Sequence, residues 1–180
     1  LEKKAVAGNA EAQYQLAVKY KRGEGVGKDY AQSFKLLSKL AGQGNPKAKF
    51  QLANHHEYGF GVPKDKDKAE ALFKESSKEL LSLAEQEDPV AQMMLGLIYG
   101  TGSGVAKDEE ESFKWALKSA EQGHPRGQMM LGSFLSSIKK DHKEGAKWYR
   151  KSAEQGLAEA QYRLGNVYYH SQGVEQDIKE

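Results

Sequence analysis

The chain has 180 residues, enough for one or two globular domains, with 27 basic and 25 acidic side chains, a net charge of +2 and no cysteine. Both signs of charge are interleaved, which argues against nucleic acid as a partner, because counterion release calls for a stripe of excess Lys and Arg. The lack of cysteine removes disulfide frameworks and thiolate metal sites, and no run approaches the roughly 20 apolar residues of a membrane span, so the chain reads as soluble without membrane insertion. Its compartment stays open between the cytoplasm and, after removal of a leader, the periplasm or exterior.

Taken in order, the elements recur. "KKAVAG" at the start aligns with the end of a second helix, so residues 1–7 read as a partial repeat. Four fuller copies follow at about 8–43, 44–86, 87–122 and 123–155, and a partial copy spans 156–180, all within one repeat domain. Each copy opens with a helix carrying a related phrase: "AEAQYQLAVKY", "PKAKFQLANHHEY", "PVAQMMLGLIY", "PRGQMMLGSFL" and "LAEAQYRLGNVYY". Proline follows a turn residue at "NP" 45, "DP" 88 and "HP" 124, where its missing N–H costs nothing in the first helical position. A glycine loop ends this first helix: "GEGVGKDY" at 23–30, "GFGVPKDK" at 59–66 and "GSGVAKDE" at 102–109. An Asp then suits the N-cap of a second helix, with capping-box spacing at Asp108/Glu111 and Asp141/Glu144. Gly44, Gly123 and Gly156 suit the left-handed turn that closes it.

Leu16, Leu52, Leu95, Leu131 and Leu164 mark one place in every copy, at separations of 36, 43, 36 and 33 residues. The long interval holds seven extra residues, "KELLSLA" at 78–84, which lengthen a helix by roughly 10 Å without rotating its buried face. From marker to Asp is 13 residues at Asp29, Asp65, Asp108 and Asp177 but 10 at Asp141, so the fourth loop has lost three residues and its Gly-x-Gly. Small residues form two columns, Ala12, Ala48, Ala91, Gly127, Ala160 and Ala17, Ala53, Gly96, Gly132, Gly165, which let helices approach closely. Leu36, Leu72, Trp115 and Trp148 fill the space between. One helix pair cannot bury its apolar face alone, whereas stacked pairs can, and the expected fold is an all-α solenoid of helix-turn-helix repeats.

The run A-x-x-x-L-[GA], G-x-G-V-x-x-D, W-[YA]-x-K-[SA]-A-E-Q-G, as in "GVAKDEEESFKWALKSAEQGHPRGQMMLG", resembles the Sel-one-like repeat family, relatives of tetratricopeptide repeats, over essentially the whole chain. The resemblance implies an α/α right-handed superhelix whose first helices line the concave surface. It also implies adaptor roles in bacterial signalling, envelope assembly, host interaction and toxin immunity, and in endoplasmic-reticulum degradation in eukaryotes. Because both ends fall within repeats, the natural protein is expected to be longer on both sides or to end in unusual caps.

Candidate chemistry is sparse. A P-loop needs Ser or Thr after its Lys, but here Asp follows Lys, or Lys is missing as in "GVEQD" at 173–177, so the glycine loops read as turns with Val26 as an apolar peg. His55 and His56 diverge by about 100° on a helix, His124 precedes Pro125, and His142 and His170 are isolated, so no metal site is expected and the histidines read as exposed or hydrogen-bonded. No cofactor is called for. "SSIK" at 136–139 matches the Ser-x-x-Lys of serine acyl-enzymes, with Asp141 and His142 nearby, but neither "SDN" nor "KTG" accompanies it. The acids of "KDEEE" at 107–111 suit a helix start better than acid–base work.

Positions one before, two after and six after each marker Leu share a helix face and change from copy to copy: Gln15, Val18, Arg22; Gln51, Asn54, Tyr58; Met94, Leu97, Thr101; Met130, Ser133, Ser137; Arg163, Asn166, His170. Structural positions stay alike in a repeat, so this stripe is free for recognition. Met94, Leu97 and Met130 read as an adaptable apolar patch flanked by Arg22, Tyr58 and Arg163, against a competing reading in which the methionines fill the core. The leading expectation is a non-enzymatic scaffold that binds a protein or peptide in its concave groove. The alternative, suggested by activity proposed for some family members, is a cell-wall or β-lactam hydrolase using Ser136.

Overall fold

The computed structural model describes residues 1–169, and within them every regular element is a helix. In chain order these are α1 (Glu2–Val6), α2 (Ala10–Arg22), α3 (Tyr30–Gly42), α4 (Pro46–Tyr58), α5 (Lys66–Glu85), α6 (Pro89–Thr101), α7 (Glu109–Glu121), α8 (Pro125–Ser137), α9 (His142–Glu154) and α10 (Ala158–Tyr169). The fold is the all-α helix-pair repeat. The chain divides into two compact units, Leu1–Ser82 with Thr101–Lys107, and Leu83–Gly100 with Asp108 onward.

Local chemistry sets the helix starts. Asn9, Asp29, Asn45, Asp65, Asp88, Asp108 and Asp141 each accept a hydrogen bond from a backbone N–H in the first turn, at 2.8 to 3.0 Å. Asp108 and Asp141 do not complete capping boxes. Their own N–H groups donate instead to Tyr99 O (3.0 Å) and Leu135 O (2.9 Å), fastening the second helix to the end of the first. Asp29 N to Tyr20 O and Asp65 N to His56 O make the same fastening. The fourth copy keeps it across its shorter loop by placing Lys140 at φ 58°, a left-handed backbone without glycine. Glu87, at φ 65°, likewise takes the place that Gly44, Gly123 and Gly156 hold at the ends of the other second helices.

The glycine loops have a second duty, visible in the first unit. Gly61 lies so close to the start of α3 that a Cβ there would stand 2.8 Å from Tyr30 C, and one on Gly104 would fall on Lys74 N and 2.8 Å from Glu70 O of α5. The loops of the second and third copies are thus seated on the second helix of the copy before. Gly25 has the same φ, 71°, but meets nothing nearer than Lys19 Nζ at 3.8 Å.

α5 runs for 20 residues where α3, α7 and α9 run for 13, so the seven-residue insertion continues one helix. Its face stays in phase: Ala69, Phe73, Ser76, Leu80 and Ala84 are all buried. Phe73 meets Phe50 of α4 edge-on at 5.5 Å. In the second unit Leu95, Leu131, Met129, Ala146 and Tyr149 carry the core. The small-residue columns are buried as expected except at Gly165, which is exposed.

Candidate functional site

In the first unit the stripe lies on α2 and α4. Gln15 and Arg22 are exposed, the first bonded to Glu11 (2.9 Å) and the second paired with Glu24 (3.4 Å). Val18 is half-buried. Gln51 ties the two helices together, accepting from Lys21 Nζ at 3.0 Å and donating to Tyr14 Oη at 3.4 Å, whereas Asn54 turns back to its own helix at Phe50 O (2.8 Å). Tyr58 is 56% exposed and leans on Phe60, which stacks on Tyr30 at 4.8 Å. Lys21 sits 5.5 Å over the Phe60 ring, so this face pairs aromatic surface with positive charge.

The second unit corrects one residue. Met94 is fully buried and has no surface to offer a partner; it is a core side chain, while Leu97 and Met130 are half-buried. On the opposite side of α6, Met130 Cε lies 3.0 Å from the place a Cβ on Gly96 would occupy, so α8 packs closely on α6 there. Ser133 accepts from Tyr149 Oη at 3.0 Å, Arg163 pairs with Glu159 at 3.3 Å, and Asn166 is exposed. Of the wider stripe, Thr101 and Ser137 are exposed, and His170 lies outside the described residues.

Ser136 is buried against α9, facing Gly145, and its Oγ has no hydrogen-bond partner among the described residues. A nucleophile needs a base hydrogen-bonded to it and an open approach; among the described residues no base bonds to Ser136, and its side chain is buried. Lys139 turns instead toward the Phe134 ring at 5.9 Å. The pair Ser136/Gly145 is the reverse of Gly100/Ser112 one copy earlier, so serine and glycine have exchanged helices while the volume between them is kept.

The histidines are more enclosed than expected. His55 Nδ1 donates to Phe60 O at 2.5 Å, which leaves Nε2 to accept from Ser33 Oγ at 3.1 Å, the pattern of a neutral ring. Burial is the main force pushing its pKa down to about 4, with backbone bonding to Phe60 opposing and Lys21 and His56 assisting. His56 is buried with neither nitrogen hydrogen-bonded, contrary to the expectation, and its pKa is lowered by burial first and by Lys68 next. It packs edge-on to Phe34 at 5.7 Å. His124 Nδ1 caps α8 at Gly127 N, 3.3 Å away. No group of three or more His, Asp or Glu among the described residues is arranged to hold a metal ion.

A glutamine column escaped the sequence reading. Gln13, Gln92, Gln128 and Gln161 each stand three residues before the marker Leu and donate to the carbonyl eight residues back, Ala5, Ala84, Ala120 and Ala153, at 2.9 to 3.5 Å. The recurring "AQ" ahead of the marker was the available signal. In the second copy Lys49 takes this place and pairs instead with Glu75 (2.7 Å) and Glu79 (2.8 Å) of α5. Hydrogen bonding to Glu75, then Glu79, holds its pKa above the ordinary lysine value.

Stacked helix pairs, loops seated on the preceding pair and a variable face on each first helix define a helical repeat protein of the tetratricopeptide-like class. A family model for the Sel1 repeat matches residues 10–45, 46–79, 89–124, 125–157 and 158–180. The chain therefore belongs to the Sel1 repeat family, whose members are generally protein-interaction scaffolds. Comparison with curated proteins returns no match. Among solved structures, a Sel1 repeat protein from Oxalobacter formigenes aligns at a TM-score of 0.58 and 32% identity, over 95% of this chain and 68% of that one. A protective antigen of uropathogenic Escherichia coli with this fold aligns at 0.54 and 35% identity, over 96% of this chain and 36% of that one, so the chain spans about a third of that protein. An immunity protein from Pseudomonas aeruginosa, 22% identical with a TM-score of 0.52 over 89% of this chain and 71% of that one, shares the fold. No helix among the described residues is long and apolar enough to cross a membrane.

Proposed function

We propose that this chain is a non-catalytic scaffold that binds a partner protein or peptide in the concave groove implied by the family resemblance, with the first-helix face of each unit as contact surface. The observation that carries the reading is the contrast between columns. Packing positions keep their type from copy to copy, whereas the first-helix face changes its chemistry and stays open at Gln15, Arg22, Tyr58, Arg163 and Asn166. Tyr58 is the strongest anchor, because a large, rigid aromatic held on Phe60 loses little freedom on binding.

The test is affinity capture from the native cell with mass spectrometry, followed by titration of the captured partner against purified variants. Tyr58→Ala combined with Arg22→Glu is expected to weaken binding by about tenfold or more with helicity unchanged. An unaltered Kd would remove the face of the first unit from the reading. Unaltered binding in Arg163→Glu with Asn166→Ala would do the same for the second unit.

A further inference from the structure

Six basic side chains fall between residues 139 and 151: Lys139, Lys140, Lys143, Lys147, Arg150 and Lys151, against two acids, Asp141 and Glu144. The whole chain nets +2, so this one segment holds more positive charge than the protein as a whole. All six basic residues are exposed. Both acids are engaged, Asp141 capping α9 at Glu144 N (2.9 Å) and Glu144 accepting from Lys147 Nζ (2.7 Å). Lys139 and Lys151 lie over aromatic rings, of Phe134 and Trp148, and Arg150 bonds to the Tyr168 hydroxyl; among the described residues none of these three pairs with a carboxylate. Among the described residues Lys140 and Lys143 have no ion pair.

This charge is not a demand of the repeat. α7 holds the same place one copy earlier and carries Glu109, Glu110, Glu111 and Glu121 against Lys114 and Lys118, whereas α9 over its whole length carries Lys143, Lys147, Arg150 and Lys151 against Glu144 and Glu154. The basic segment arises in the copy that lost its glycine loop. Lys143, Lys147 and Lys151 stand one turn apart along α9, a row about 12 Å long, which Lys140 extends at the helix start.

We propose that this basic face of α9 docks an acidic segment of a partner protein whose carboxylates recur one helical turn apart. It is a second surface, on a second helix rather than on the first-helix stripe. Charge complementarity selects the occupant. A phosphate backbone or an anionic lipid layer presents negative charge throughout and would meet Asp141 and Glu144 as well as the lysines. An acidic segment of matched spacing meets Lys143 and Lys151, with Lys147 between them shared with Glu144.

The probe is a fluorescein-labelled helical peptide with Glu at every fourth position, compared with the same peptide carrying Gln, and the readout is fluorescence anisotropy. The Glu peptide binds, the Gln peptide does not, and raising salt from about 50 to about 500 mM weakens binding by about tenfold or more. Lys140→Glu, Lys143→Glu, Lys151→Glu together abolish it, while Lys114→Glu, Lys118→Glu leave it unchanged, with circular dichroism showing both variants helical. Failure of the Glu peptide to bind, equal binding of the two peptides, or unchanged binding in the triple variant overturns the proposal. So does tighter binding to phosphatidylserine vesicles or single-stranded DNA than to the Glu peptide.

Discussion

Replacing Gly104 with Ala tests whether the loops hold the copies together. Two costs add at this position. At φ 70° any L-residue loses about 1 to 2 kcal/mol relative to glycine. The new Cβ would also land on Lys74 N, with Glu70 O at 2.8 Å and Phe73 C at 2.9 Å, and backbone atoms cannot swing aside as a lysine tip can. Forcing loop and helix apart costs a further 1 to 3 kcal/mol or so, for a total of about 2 to 5. Gly25→Ala is the internal control, with φ 71° and Lys19 Nζ at 3.8 Å, so it bears the first cost alone. The gain from restricting the unfolded chain, common to both variants, cancels in the comparison. Urea unfolding followed by far-ultraviolet circular dichroism should place Gly104→Ala below Gly25→Ala by about 1 to 3 kcal/mol, with Gly61→Ala on the same side as Gly104→Ala. Equal losses at Gly25 and Gly104 would refute the seating of the loop on α5.

Acid should loosen the first unit through His55. Its folded pKa, about 4, lies below the ordinary histidine value of 6.5, so the unfolded chain takes the proton first as pH drops. The stability contributed by the neutral ring is complete above pH 6.5 and is lost as pH falls toward 4, by up to roughly 3 kcal/mol. Urea midpoints at about pH 7 and pH 4.5 measure it, and His55→Gln should flatten the difference. At the exchanged pair, Gly145→Ser alone should cost about 2 kcal/mol by colliding with Ser136, and adding Ser136→Gly should recover much of that loss. Strictly additive losses in the double variant would show that the two residues do not share one space.

Much of what the sequence repeats was read from it, the glutamine column excepted. The marker leucines, the Asp caps and the α5 insertion could be placed because each copy serves as a template for the others, and a gap of seven residues preserves helical phase. Side-chain engagement was harder to read. Met94 occupies the same position as Gln15 and Gln51, yet it is fully buried where Gln15 is exposed and Gln51 half-buried, a difference that the repeat pattern does not carry. His55 and His56 looked like two polar residues on one helix. Their enclosure by Phe34, Tyr30 and Phe60 brings together residues from a preceding helix and a following loop, which pattern alone does not join. The capping boxes failed for a similar reason, since the N–H that Glu111 or Glu144 would have accepted was already given to the preceding helix.

The glutamine column bears on how such a chain can change over generations. Each Gln recognises a main-chain carbonyl of the copy before it, an atom every residue type supplies, so a duplicated or transplanted copy finds its attachment point whatever precedes it. The second copy departs from this rule without losing portability. Lys49 and its two acids, one of them inside the inserted turns, all lie between residues 46 and 85, so the lengthened helix travels with its own fastening. Inheritance can therefore act on whole copies, shuffling them as interchangeable parts while their exposed faces diverge.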